Sequence, residues 1–234
     1  MLKRILIILA VVVLALVLIE VVNLYRLKTS IGRYASYWKG QTTKNGEFTY
    51  VALGDSAAQG VGASSPQNGY VGLLGKQIAN TTGKSVRIVN LSVSGAEVED
   101  VIDKQLPQLK NYKPDLITVE IGSNNVTHWN ESAFAAQYNT LAAALPRGTV
   151  VANIPYFGGR SHQNDEAVAA SKIIAAAAAR YHLKLVDLQS YTAQYQSWLN
   201  YSWDFFHPSN RGYRIWDAAF WPIVKSALPQ HSTK

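Results

Sequence analysis

The chain has 234 residues, of which 48% are hydrophobic and 16% charged, so beyond its first thirty or so residues it is long enough for one domain with a real core. Its formal charge of +7 is unevenly placed: residues 1–40 hold Lys3, Arg4, Arg26, Lys28, Arg33 and Lys39 against Glu20, a net of +5, and the rest carries only +2. No basic cluster with interleaved aromatics occurs in the body, which argues against a nucleic-acid partner, and the absence of cysteine excludes disulfides, thiol catalysis and cysteine-ligated zinc.

Lys3 and Arg4 precede an unbroken apolar run from Ile5 to Ile19. That run is only about 23 Å long as a helix, but continued to Tyr25 it reaches roughly 31 Å, the thickness of a hydrocarbon core, with Glu20 near one interface. A cleavable signal peptide needs a small-x-small site, and Ile19-Glu20-Val21-Val22-Asn23 offers none, so residues 1–25 fit an uncleaved membrane anchor better than a secreted protein's leader. Lys3 and Arg4 favour an inside N-terminus while Arg26, Lys28 and Arg33 pull the other way; the expectation is a body outside the cytoplasmic membrane. Residues 26–47 suggest a polar tether, with Tyr34, Tyr37 and Trp38 resting at the interface or on the domain, and residues 48–230 form the domain itself.

Within that domain, apolar runs at Tyr50–Leu53, Val86–Leu91, Leu116–Ile121, Thr149–Ile154 and Leu183–Leu188 alternate with helical stretches near 70–80, 97–110, 131–144, 164–181 and 209–227. Runs without polar alternation imply strands covered on both faces, hence a parallel sheet. Strand–helix alternation at this spacing predicts a three-layer α/β/α sandwich on a five-stranded parallel sheet.

Polar residues gather where these strands end: Gly54-Asp55-Ser56 after the first, Asn90 to Gly95 after the second, Gly122-Ser123-Asn124-Asn125 after the third. In open α/β folds that edge is where ligands bind. Acyl transfer needs a nucleophile, a base, a group that orients the base, and donors for the developing oxyanion. Ser56 supplies the first, and His207 near the C-terminus the second. Asp204 stands three residues before His207, close enough to hold its imidazole N–H. The backbone N–H groups of Ser56 and Gly95, with the Asn124 amide, are candidate oxyanion donors, and a residue without Cβ at 95 lets substrate approach the main chain.

These blocks resemble the SGNH hydrolases, also called GDSL-type esterases and lipases. Gly54-Asp55-Ser56 with Gly60 is similar to the family's first block, Gly95 falls at the second-block glycine, Gly122-Ser123-Asn124 looks like the third-block Gly-x-Asn, and Asp204-Phe205-Phe206-His207 looks like the closing Asp-x-x-His. The resemblance runs in order from residue 49 to about 227. It implies a flavodoxin-like sheet and a serine enzyme that cleaves carboxylic esters without a cofactor. One departure stands out: the third block usually continues with aspartate, and here it has Asn125. No Gly-x-Ser-x-Gly elbow occurs, which disfavours the α/β-hydrolase alternative.

Other residues carry weaker expectations. His128, His162, His182 and His231 lack metal-ligand spacing and are expected at the surface or in packing; no metal is called for. Glu120 lies in an apolar strand, where an ionised carboxylate is costly unless paired, and is expected to be a satisfied structural group. The aromatic stretch Tyr191, Tyr195, Trp198, Tyr201, Trp203, Phe205 and Phe206 is either core or the wall of a site for an acyl chain or sugar ring. The reading is a membrane-anchored serine esterase acting on a small ester, lipid or acylated sugar. Its rivals are an O-acyltransferase of cell-envelope polysaccharide using the same residues, and a non-catalytic binding module on a membrane stalk.

Overall fold

The computed structural model describes residues 2–229; the expected domain end at 230, and His231, lie outside the described residues. The five apolar runs form strands β1 (Phe48–Gly54), β2 (Val86–Asn90), β3 (Leu116–Glu120), β4 (Val150–Ala152) and β5 (Lys184–Val186). They pair in the order β2-β1-β3-β4-β5, every pair parallel. The chain leaves β1 toward β2 on one side and later returns to β3 on the other, so the strand order reverses beside β1, and a crevice at the carboxyl ends of β1 and β3 follows from the topology.

Alternate residues of each strand serve opposite cores. Tyr50 and Ala52 pack on one face with α3 (Tyr70–Thr82) and α9 (Asn210–Ala227); Val51, Leu53 and Val119 pack on the other with α6 (Glu131–Ala144) and α7 (Asn164–Arg180). On the first face Tyr70 stacks on Phe220 with ring centroids 4.8 Å apart. Three strands run almost directly into short helices: β1 into α2 (Ser56–Gln59), β3 into α5 (Ser123–Val126) and β5 into α8 (Leu188–Ala193). The helix expected near 97–110 is broken into a short α4 (Val98–Asp100), a π turn over Val101–Gln105 and a 3₁₀ segment over Leu106–Asn111. Pro107 explains the change, because it brings no N–H for a continuing α ladder and its ring crowds the preceding turn.

Helix α1 runs unbroken from Leu2 to Thr42. The segment 26–42, expected as part of a polar tether, is thus the second half of this helix, and it is docked on the domain. Ser30, Tyr34 and Trp38, one turn apart, are its buried residues. Tyr34 Oη donates to the Ala63 carbonyl at 2.7 Å and Trp38 Nε1 to the Gln59 carbonyl at 2.9 Å, both just beyond the carboxyl end of β1. At its other end the Thr42 carbonyl accepts from Arg87 Nη2 at 2.8 Å, beside the start of β2. Helix α1 therefore runs antiparallel to the strands, its apolar half leading away from their carboxyl edge. Trp38→Ala should lower stability by about 3–5 kcal/mol, the usual result of emptying a buried indole site, measured by denaturant unfolding of the detergent-solubilised chain; a loss under about 0.5 kcal/mol, typical of surface changes, would show that this segment is not docked.

Candidate active site

The turn after β1 is held from several sides. Gly54 has φ 149°, and a Cβ there would sit 2.3 Å from the Glu120 carbonyl oxygen, so only glycine fits. Gln105, fully buried, clamps this residue from both sides: its Oε1 accepts from Gly54 N at 2.9 Å and its Nε2 donates to Gly54 O at 2.8 Å. Asp55 caps α2 by accepting from Ala57 N at 2.8 Å, as short polar residues do at helix starts. Asn90 and Gln59 tie α2 to the loop after β2, donating to Ala58 O and Ser92 O. Ser56 is the first residue of α2 and is 4% exposed.

His207 reaches this serine from the opposite end of the chain. Its Nε2 lies 2.8 Å from Ser56 Oγ, and its Nδ1 2.5 Å from Asp204 Oδ2. With Nδ1–H donated to the carboxylate, Nε2 is the acceptor for the serine hydroxyl. The other carboxylate oxygen, Asp204 Oδ1, accepts from the backbone N–H groups of Phe206 and His207, so one side chain fixes both the loop and the ring. Burial pushes the Asp204 carboxyl up, but the His207 hydrogen bond and charge and the two N–H groups outweigh it and hold it below the usual carboxylate range. Within this loop Phe205 adopts φ 53°, a left-handed conformation that a bulky residue adopts only under constraint. Gly62 is pressed against the same loop, where a Cβ would fall 2.4 Å from Pro208 O and 2.8 Å from His207 Cβ.

The remaining expected residues lie on adjoining loops. Gly95 has φ 82° with nothing within 4 Å of where a Cβ would stand, which leaves open space before its main chain. Asn124 Nδ2 donates to Ala96 O at 2.8 Å and more loosely to Asp55 Oδ2 at 3.2 Å, so its amide is engaged within the protein. Asn125 accepts from Val98 N through Oδ1 and donates to Glu97 Oε2 through Nδ2, fastening the segment that follows Gly95 to the β3 loop. Its amide thus supplies a donor that aspartate lacks. His128 pairs with Glu97 at the surface, 2.7 Å apart.

Glu120 departs from expectation. It is fully buried at the end of β3, and neither carboxyl oxygen has a hydrogen-bond partner among the described residues. Burial, and then the nearby Asp55 carboxyl, push its pKa well above the ordinary value; burial likewise raises Asp55, to about 6. Two carboxyls whose ionisation burial disfavours therefore flank the turn that carries Ser56, Glu120 in register with Gly54 and Asp55 next in the chain.

Above Ser56 and His207 opens a cavity of about 460 Å³, lined by Tyr156, Phe157, Trp198, Tyr201 and Phe206 among others. The aromatic stretch is thus largely wall rather than core. Phe206 stands edge-on to the His207 ring at 5.2 Å and carries the Arg160 guanidinium over its face at 4.3 Å. A hydroxyl–imidazole–carboxylate chain at the floor of an apolar cavity is an arrangement that can support acyl transfer.

The profile of the GDSL-like Lipase/Acylhydrolase family matches residues 52–215. The chain belongs to this family. It is a carboxylic ester hydrolase of the GDSL (SGNH) type. No curated protein matches its sequence. Among solved structures the GDSL fold recurs in the acetylxylan esterase Axe2 from Geobacillus stearothermophilus (20% identity, TM-score 0.64, covering 79% of this chain and 98% of that one). It recurs in a lipase/acylhydrolase from Enterococcus faecalis (20%, 0.64, 78% and 97%) and in LAE5, an alpha/beta hydrolase enzyme from a Lake Arreo metagenome (20%, 0.65, 79% and 97%). At such identity the likeness is one of fold.

Sequence reasoning did not find Gln105. It is 51 positions from the glycine it clamps, and a glutamine in a helical stretch carries no local signal. The buried acids yield a prediction. A carboxyl with a raised folded pKa is protonated in the native state while already ionised in the unfolded one, so stability falls as pH rises above the ordinary Glu value, about 4.3, by up to about 1.4 kcal/mol per pH unit. Glu120→Gln should flatten the decline in stability between pH 4.5 and pH 7, read by urea unfolding; equal slopes for both proteins would show Glu120 to be ionised or exposed.

Proposed function

We propose that this GDSL hydrolase cleaves esters through Ser56, His207 and Asp204. His207 Nε2 takes the Ser56 hydroxyl proton as Oγ attacks the ester carbonyl, and the carbonyl π electrons move onto oxygen. Asp204 holds the ring tautomer that leaves Nε2 free and stabilises the imidazolium. The oxyanion is met by the N–H groups of Ser56 and Gly95 and by the Asn124 amide, which exchanges its longer contact to Asp55 for the substrate. The Ser56 N–H belongs to the first turn of α2, where helix geometry leaves such groups without intrahelical partners. The imidazolium protonates the departing alcohol, and an acyl-enzyme remains. Water, deprotonated by the same nitrogen, then releases the acid.

The observation that carries this reading is the continuous hydrogen-bonded path Ser56 Oγ–His207–Asp204, 2.8 Å and 2.5 Å, at the base of the aromatic cavity. No metal or cofactor enters the scheme. The apolar half of α1, long enough to cross a bilayer and fully exposed on the domain, is read as a single-pass anchor with the body outside the cytoplasmic membrane; protease digestion of intact cells should remove the domain and spare the anchor.

Hydrolysis of p-nitrophenyl esters by the full chain tests the chemistry. Ser56→Ala and His207→Ala should each lower kcat by roughly four orders of magnitude or more, and Asp204→Asn by a comparable factor through the wrong imidazole tautomer. All three should leave the far-ultraviolet spectrum unchanged. Equal rates for wild type and Ser56→Ala would end the serine-nucleophile reading.

A further inference from the structure

Outside α1, the described residues expose six large apolar side chains: Val93, Tyr195, Trp198, Leu199, Trp203 and Phe205. All six follow β2 or β5, at the carboxyl edge of the sheet, and Tyr195, Trp198 and Phe205 also line the cavity over Ser56. Trp198 is 73% exposed and Trp203 53%. Apolar residues scattered singly over a surface need no explanation, but a set confined to one edge around a pocket marks a contact surface.

The direction of α1 identifies what that surface meets. Its contacts run from Thr42, beside the start of β2, through Trp38 to Tyr34, beside the loop beyond β1. Continued backwards, the helix leaves the domain at the same edge that carries the six apolar residues. From Ser30, its first buried residue, to Tyr25 at the end of the apolar segment is about 8 Å of helix. The headgroup layer is itself about 5–8 Å thick on each side of the hydrocarbon. A bilayer spanned by residues 5–25 therefore lies against the carboxyl edge, not behind or beside the domain. Arg26 and Lys28 fall in the intervening layer, where cationic side chains meet lipid phosphates. Tryptophan and tyrosine rings favour the same depth.

We propose that the carboxyl edge of the sheet is a bilayer-contact surface and that the ester is drawn from the membrane in which α1 is seated. This rests on the hydrolase and anchor readings above. The substrate class is a bilayer-resident amphiphile: its apolar chain passes between Trp198 and Phe205 into the aromatic cavity, and its ester group stops at Ser56. The docked half of α1 works as a spacer of fixed length, setting the height of the pocket mouth above the lipid.

The test uses the full chain in phosphatidylcholine vesicles, with two independent readouts. Lipids brominated near the top of their acyl chains should quench wild-type tryptophan fluorescence at least about twofold more than that of Trp198→Phe/Trp203→Phe, since bromine quenches only rings that reach the bilayer. Insertion of seven helix-forming residues between Arg26 and Thr29 raises the body by about 10 Å while nearly keeping the helix face. It should slow hydrolysis of a long-chain ester held in the vesicle at least about tenfold and leave a water-soluble short-chain p-nitrophenyl ester unaffected. Leu199→Ser/Trp203→Ser should show the same split, because the lost apolar contact weakens only the membrane encounter. Equal quenching of the two proteins overturns the contact surface whatever the enzyme does, as does quenching lost because the edge is buried in a dimer of this chain. Equal vesicle rates with the lengthened helix overturn the spacer and the membrane-drawn substrate. Failure of wild type on both esters instead removes the hydrolase reading, and quenching still decides the surface.

Discussion

A hydrogen bond of 2.8 Å between Ser56 and His207 joins residues 151 positions apart, and much of the chain is arranged so that it forms. The parallel sheet places β1 near its centre with its carboxyl end in the crevice. Helix α9 then brings the C-terminal segment back across the same face, where Tyr213 Oη donates to the Val61 carbonyl and Ser209 caps the helix two residues after His207. Gly62 lets the two segments touch; any side chain there would push the imidazole away. Glycine is required here by the neighbour as much as by the backbone angle.

The polar surroundings of that contact carry an energetic cost that the rest of the fold offsets. Asp55 and Glu120 are buried beside the turn that carries Ser56, and the surrounding protein disfavours their ionisation. Phe205 holds a left-handed backbone one residue beyond Asp204, a conformation worth on the order of 1–3 kcal/mol of strain. Against these stand the two continuous cores on either face of the sheet. Buried acids beside the Ser56 turn and a left-handed bulky residue in the His207 loop fit a site whose geometry is imposed by the scaffold.

Strands β1, β3 and β4 were legible because each is a short, mainly apolar run, the signature of a strand buried on both faces, and the partly buried edge strands β2 and β5 by their place in the strand–helix alternation. That Ser56, Asp204 and His207 come together was legible because they stand in short blocks at strand and helix ends. What escaped was non-local or masked by composition. The buried set Ser30, Tyr34 and Trp38 lies at every fourth position of α1, but Lys28, Gly32, Arg33, Lys39 and Gly40 among and beside them give the segment the look of a tether. Gln105 acts on a glycine 51 positions away. Glu120 was expected to be satisfied, since a buried acid usually is; its lack of a partner depends on which side chains the other strands and helices bring around it, which no local pattern encodes. The aromatic residues from Tyr195 to Phe206 were open to two readings because sequence gives their spacing and not the side from which water reaches them.

The central claim is that the Ser56 hydroxyl is made nucleophilic by a histidine it meets only in the folded chain. Labelling with a fluorophosphonate, followed by peptide mass spectrometry, measures that directly. One phosphonyl adduct per chain is expected, on Ser56, forming rapidly in the wild type and at least about a thousandfold more slowly in folded His207→Ala. A folded wild-type protein that stays unlabelled, or a label that reaches Ser56 equally fast without the imidazole, would contradict it.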